Sequence, residues 1–242
     1  MKWSGLVFVL LCAATATGCA TAVPTMVGGS TTPEHRTDLG LGGAARVPLG
    51  KLKNWDTGEP NYQPDASAGG VVPMGYGRYG LTDRWDLGLL VAGTMARADF
   101  RNETLLQDGS TRTALVLGLS PYGGWIAEDG ARASGGRAGF EVPVAYGVEI
   151  GGVYEFWLGA RASGEWVKGD FERDETNASL QSGFGIRVGP VIGMALGIRR
   201  FHALVELTAA YEHWSIGGFD SGSRLKRNGV ALIPGFALRL RL

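Results

Sequence analysis

Residues 180–198 read LQSGFGIRVGPVIGMALGI. The even positions include Leu180, Phe184, Ile186, Val188, Ile192, Met194, Leu196 and Ile198. The odd positions carry Gln181, Gly183, Gly185, Arg187, Gly189, Val191, Gly193, Ala195 and Gly197. Successive side chains of a β-strand point to opposite faces. One face of this stretch is therefore large and apolar, the other small or charged. A helix would spread the glycines around its circumference and be weakened by each of them. The run also exceeds the usual globular strand of about 5–6 residues.

The same alternation returns along the chain. Tyr154, Phe156, Leu158, Ala160, Ala162 and Trp166 share a face against Glu155, Arg161 and Glu165. Phe201, Ala203, Val205, Leu207, Ala209 and Tyr211 oppose Glu206 and Glu212. Trp85, Leu87, Leu89, Val91 and Met95 oppose Asp86, Gly88, Ala92 and Thr94, and Phe140, Val142, Val144, Tyr146 and Val148 oppose Glu141, Ala145 and Gly147. Aromatics at the ends of such faces, with aliphatics between, match the girdles of membrane barrels. In the soluble alternative, a lipocalin-like carrier, the large residues would point inward. The opposite face would then need Lys, Thr and Ser for water, but it is rich in Gly and Ala, which suit a crowded lumen. A lipid-facing Val188 should reject charge, and the small Gly189 should accept serine.

Composition agrees. Of 242 residues 40 are glycine, and only 19% are charged, against about 7% and 25% in average soluble proteins. Lys plus Arg and Asp plus Glu balance at 23 each, which excludes nucleic-acid binding by bulk positive charge. Beyond residue 20 no apolar run approaches the roughly 18 residues of a spanning helix.

The predicted strands lie near 37–47, 70–80, 85–98, 111–120, 123–128, 136–148, 153–167, 178–197, 202–214 and 228–241. Short connections are expected at 81–84, around Pro121 and Tyr122, at 149–152 and at 198–201. Long polar ones are expected at 48–69, 99–110, 129–135, 168–177 and 215–227. Short periplasmic turns alternating with longer outer loops define an all-β, antiparallel, up-and-down transmembrane barrel. Ten strands put both of its ends on one side, with eight as the fallback.

The chain opens with Lys2 and an apolar stretch from Leu6 to Ala14, of signal-peptide length. Ala16-Thr17-Gly18-Cys19 comes next and resembles a bacterial lipobox, which implies a signal peptide over 1–18 and a lipid on Cys19. Ordinary cleavage after Ala22, in Ala20-Thr21-Ala22, is the alternative. With Cys12 lost in the signal, Cys19 is the only mature cysteine, so no disulfide or cysteine metal site forms within one chain. Residues 19–36, rich in Thr, Gly, Pro and Ser, read as a lipidated, flexible tether ahead of a barrel over 37–242.

Tyr79-Gly80-Leu81-Thr82-Asp83-Arg84-Trp85-Asp86-Leu87-Gly88-Leu89 resembles the strand–turn–strand of small outer-membrane β-barrel proteins of proteobacteria. The resemblance implies residence in the outer membrane of a Gram-negative bacterium, contact with its lipid and lipopolysaccharide, and insertion by the barrel-assembly machinery. It implies a structural or narrow, porin-like role, with no cofactor and no metal.

Two groups of residues carry candidate chemistry. His213-Trp214-Ser215 is similar to a step of the lipid A deacylase barrels, in which a histidine acts as base for a serine. Positions i and i+2 share a strand face, so His213 and Ser215 stand together, but residues 230–238 supply no orienting carboxylate. The expectation is a non-enzymatic barrel, with deacylation by His213 and Ser215 as the alternative. The second group is Glu141, Arg161, Arg187 and Glu206, inward-facing on four successive strands. At similar depth they should form a charge network across the lumen, Glu141 flanking Arg161 and Glu206 flanking Arg187, and so obstruct it.

Overall fold

The computed structural model describes residues 22–26, 28–52, 70–127, 134–172, 178–198, 200–218 and 224–242. Its strands are β1 (Thr37–Pro48), β2 (Gly70–Gly80), β3 (Trp85–Ala92), β4 (Met95–Gln107), β5 (Thr111–Ala127), β6 (Ser134–Ile150), β7 (Tyr154–Glu172), β8 (Ala178–Ile198), β9 (Phe201–Gly218) and β10 (Arg224–Arg241). Each strand pairs antiparallel with its neighbours in the chain, and β1 closes on β10. The fold is a closed ten-stranded up-and-down barrel, so no sheet edge runs its full length unpaired.

The strand count agrees with the sequence reading, but two differences offset each other. The stretch 85–98 is not one strand. It turns at Gly93 and Thr94, and Ala92 pairs with Met95 across that turn. The turn reverses the parity of the residues after it, so Met95 is buried, not outward-facing. Residues 99–107 then continue β4 where a long loop is expected. Conversely, Pro121 and Tyr122 make no turn: Ser120, Pro121 and Tyr122 pair with Glu141, Phe140 and Gly139 within a single β5.

Thr37 and Leu242 meet at one rim, where Leu242 N donates to the Thr37 carbonyl at 2.8 Å. The β2–β3, β4–β5, β6–β7 and β8–β9 connections lie at this near rim. The far rim carries the tight turn at Gly93 between β3 and β4, and the β1–β2, β5–β6, β7–β8 and β9–β10 connections. The wall is uneven in height. β3 has 8 residues and β8 has 21.

The outer face is apolar. Along β8, Ile186, Val188, Ile192, Met194 and Leu196 are exposed, while Arg187, Gly189, Val191, Gly193 and Ala195 are buried. The large residues thus face away from the lumen, which overturns the carrier alternative. Phe140, Trp166 and Phe184 form a row across β6, β7 and β8, with ring centroids 6.1 and 5.2 Å apart. On β7 this row stands twelve residues from Tyr154. That is about 40 Å of strand and about 30 Å of height at the usual tilt of about 40°, close to the hydrocarbon thickness of a bilayer.

The inner face is small where large rings need room. The Trp157 indole lies over Gly193, and the Trp214 ring lies over Gly185. Gly189 differs from expectation. A Cβ there would fall against the backbone of Ala209 and 2.8 Å from the Cα of Ala210. Strand–strand approach, not only lumen space, excludes serine at 189.

Val188 sits at the middle of β8 on the outer face. Val188→Arg is expected to lower stability in lipid vesicles by about 2–4 kcal/mol, and Val188→Leu to leave it unchanged. Denaturant unfolding of the two variants checks this, and equal midpoints would mean that this face does not meet hydrocarbon.

Candidate functional site

The lumen is lined by ion pairs that the barrel itself supplies. Next to the near rim Arg101 grips Asp86 through two guanidinium nitrogens, and Arg239 reaches Glu155 at 2.6 Å. Farther in, Arg97 and Arg78 share Asp99 at 2.8 and 3.3 Å, and Arg161 pairs directly with Glu141. Toward the far rim Arg187 lies 2.8 Å from Glu165 and 3.4 Å from Glu212, while Arg46 holds Glu212 at 2.7 Å. All of these side chains are buried. Trp214 is also internal: its Nε1 donates to Glu212 at 3.0 Å, and its ring lies 4.9 Å from the Arg187 guanidinium.

Of the four charges expected to form one network, Glu141 and Arg161 meet. Arg187 and Glu206 do not. The register pairs Arg187 with Glu212 and Gly193 with Glu206, so Glu206 lies six residues farther toward the near rim. Strand stagger, invisible in the alternation, separates the two. Glu206 instead accepts from Trp157 Nε1 at 3.2 Å and from a segment that is not part of the wall.

That segment is the N-terminal stretch, expected to be a solvated tether. Residues 22–26 and 28–32 are buried inside the barrel. Ala22 packs against Ala210 and Ile233, halfway along β9 and β10. From there the chain runs to the near rim, where Pro33, Glu34, His35 and Arg36 are exposed. His35 N then donates to the Gly80 carbonyl at 2.9 Å and the chain enters β1.

The wall holds this segment mainly by its backbone. Thr25 N donates to Glu206 at 2.6 Å, Gly29 N to Glu155 at 2.5 Å, Thr31 N to Glu103 at 2.6 Å and Thr32 N to Asp86 at 2.8 Å. In the other sense Arg161 donates to the Val23 carbonyl at 2.7 Å, and Arg97 donates to those of Pro24 and Thr25 at 3.1 and 2.7 Å. The hydroxyls of Thr25 and Thr31 add bonds of 2.9 and 2.8 Å to Glu206 and Glu103. Val23 and Met26 join the buried apolar cluster around Trp157 and Leu204. Two glycines permit the closest approach. Gly29 lies against Gly147 of β6, and a Cβ on Gly147 would coincide with the Gly29 backbone. Gly28 adopts a φ of 71°, a region that suits glycine.

His213 and Ser215 stand half-buried on the outer face. The register flanks His213 with Ile186 and Asn228, and Ser215 with Phe184 and Lys226. Glu212, between Tyr211 and His213, points inward and is engaged by Arg46. Among the described residues no carboxylate stands beside His213 on that face; Asp220, the first carboxylate after Ser215 in the sequence, lies outside the described residues, as does Cys19. Among the described residues no group of three or more His, Cys, Asp and Glu side chains could hold a metal ion.

No known protein family and no curated protein matches the sequence. Solved structures similar to this chain include the outer-membrane protease OmpT of Escherichia coli, at 9% identity over 86% of this chain and 96% of that one, with a TM-score of 0.45. The attachment invasion locus protein Ail of Yersinia pestis is 12% identical over 86% and 99%, at 0.34. Neisserial surface protein A is 14% identical over 86% and 99%, at 0.33. These are outer-membrane β-barrel proteins of Gram-negative bacteria. At such identities and scores the likeness brings no activity with it.

The lumen contacts predict two outcomes. Gly147→Leu should drive Gly29 from its place, so amide exchange at Gly29, Thr31 and Thr32 should quicken at least about a hundredfold while the wall amides stay protected. Unchanged exchange would mean that these amides are held otherwise. Arg187→Ala strips the cation shared by Glu165 and Glu212 and should cost about 3–5 kcal/mol in denaturant unfolding.

Proposed function

We propose that the protein is a non-enzymatic outer-membrane β-barrel with a structural role, its lumen closed at rest by its own N-terminal segment. The burial of residues 22–26 and 28–32 within the wall carries this reading. An apolar exterior about as tall as a bilayer supports the location. The outer face then meets lipid and lipopolysaccharide, and insertion falls to the barrel-assembly machinery. A narrow pore exists only when the segment leaves. His213 and Ser215 take no catalytic part, because His213 has Ile186 and Asn228 beside it and no orienting acid among the described residues.

The lipid anchor at Cys19 bears on the same segment. Ala22 packs midway along β9 and β10, about eight residues of strand from either rim, or about 20 Å of height. Three residues of chain reach at most about 11 Å. A lipid carried by Cys19 in the bilayer and residues 22–26 and 28–32 in the lumen therefore exclude one another, whereas cleavage after Ala22 is compatible with the closed state.

Planar-bilayer recording together with mass spectrometry of the mature N-terminus tests this. The mature protein should begin at Val23 and pass little current. Deletion of residues 23–32 should produce steady conductance. Porin-like current through the undeleted protein, or an acylated Cys19 on a protein that does not conduct, would overturn the proposal.

A further inference from the structure

The contacts that hold the N-terminal segment are unlike those of the wall. Its amides and carbonyls do not enter a strand ladder. They are met by charged side chains projecting from five strands: Arg78 of β2, Asp86 of β3, Arg97 and Glu103 of β4, Glu155 and Arg161 of β7, and Glu206 of β9. Four carboxylates accept from main-chain N–H groups, and three guanidinium groups donate to three consecutive carbonyls. Every peptide offers the same N–H and C=O groups, so this set of contacts is largely blind to sequence. What it does require is shape. The chain must run lengthwise with left-handed backbone at Met26 and Gly28, and it must be small where Gly29 meets Gly147.

We infer that the near half of the lumen is a binding channel for a polypeptide seated lengthwise. It recognises main-chain amides through buried carboxylates and main-chain carbonyls through buried arginines. The ligand class is a peptide rich in Thr, Ser and Gly, and residues 23–26 and 28–32 are its resident occupant. The occupant is exchangeable, because it is tied to the wall covalently only through the exposed turn 33–36 and can be drawn out lengthwise. This rests on the seating of residues 23–26 and 28–32 in the lumen and not on the membrane in which the barrel resides.

The test keeps the full chain. A recognition site for a sequence-specific protease is placed in the turn 33–36, the protein is folded in detergent micelles, and the turn is then cut. Mass spectrometry monitors departure of the freed segment, and fluorescence anisotropy monitors entry of a labelled synthetic peptide with the sequence of residues 23–33. The peptide should enter as the segment leaves. Thr25→Val and Thr31→Val in the peptide, which remove hydroxyls but keep the amides, should weaken binding less than about tenfold. N-methylation at Thr25, Gly29, Thr31 and Thr32 should weaken it at least about a hundredfold, and Gly29→Leu should abolish entry. Equal binding of the methylated peptide would overturn main-chain recognition. A freed segment that departs without any peptide entering, or that never departs, would overturn an exchangeable channel. A lumen that conducts before the turn is cut would instead count against the closed state proposed above, so the two failures are distinguishable.

Discussion

An ionised side chain enclosed by a β-wall must find its counter-charge within that wall. This constraint organises the protein. A buried charge is costly unless it is paired and hydrogen-bonded, and at least eight arginines project into this barrel. Most of the Arg–carboxylate contacts link different strands, often ones distant in the chain, as Arg46 of β1 does with Glu212 of β9. The ladder hydrogen bonds fix neighbouring strands, and the lumen charges brace the barrel across its width. Because Asp99 serves Arg78 and Arg97 together, and Arg187 serves Glu165 and Glu212, the pairs act as a connected set.

The N-terminal segment completes that set. Glu206 is satisfied by the Thr25 amide, the Thr25 hydroxyl and the Trp157 indole. Glu155, although paired with Arg239, also takes the Gly29 amide. The segment is therefore a structural member as well as an obstruction. Room for it is made by Gly147, as room for the internal tryptophans is made by Gly185 and Gly193. Much of the high glycine content thus reflects how much the lumen must contain.

The outer face is legible in the sequence because alternation reports directly on which solvent each face meets. Val188 and Arg187 cannot share a side. Boundaries are less legible. Gly93 and Thr94 turn the chain without a polar loop to announce it, and Pro121 suggests a break where the wall tolerates a proline. Stagger is not legible at all, since alternation fixes the side a residue faces and not its height. Glu206 therefore looks like a partner for Arg187, although six residues separate their levels. The seated segment escapes a sequence reading for a related reason. Thr25, Gly29, Thr31 and Thr32 carry a tether's composition, and their partners lie 54 to 181 residues away in the sequence.

The uneven wall sets a direction within the membrane plane. At β3, eight residues rise only about 20 Å at the usual tilt, against a hydrocarbon layer of about 30 Å. Across the barrel, β7 and β8 have more than enough height. Lipid chains bordering β3 must shorten, or the barrel must lean until that side is covered, since each ångström of mismatch carries a modest energetic penalty. The molecule thus has a front and a back. It presses a dimple into one side of its lipid surround, and a thin neighbouring protein would relieve more strain there than at β8.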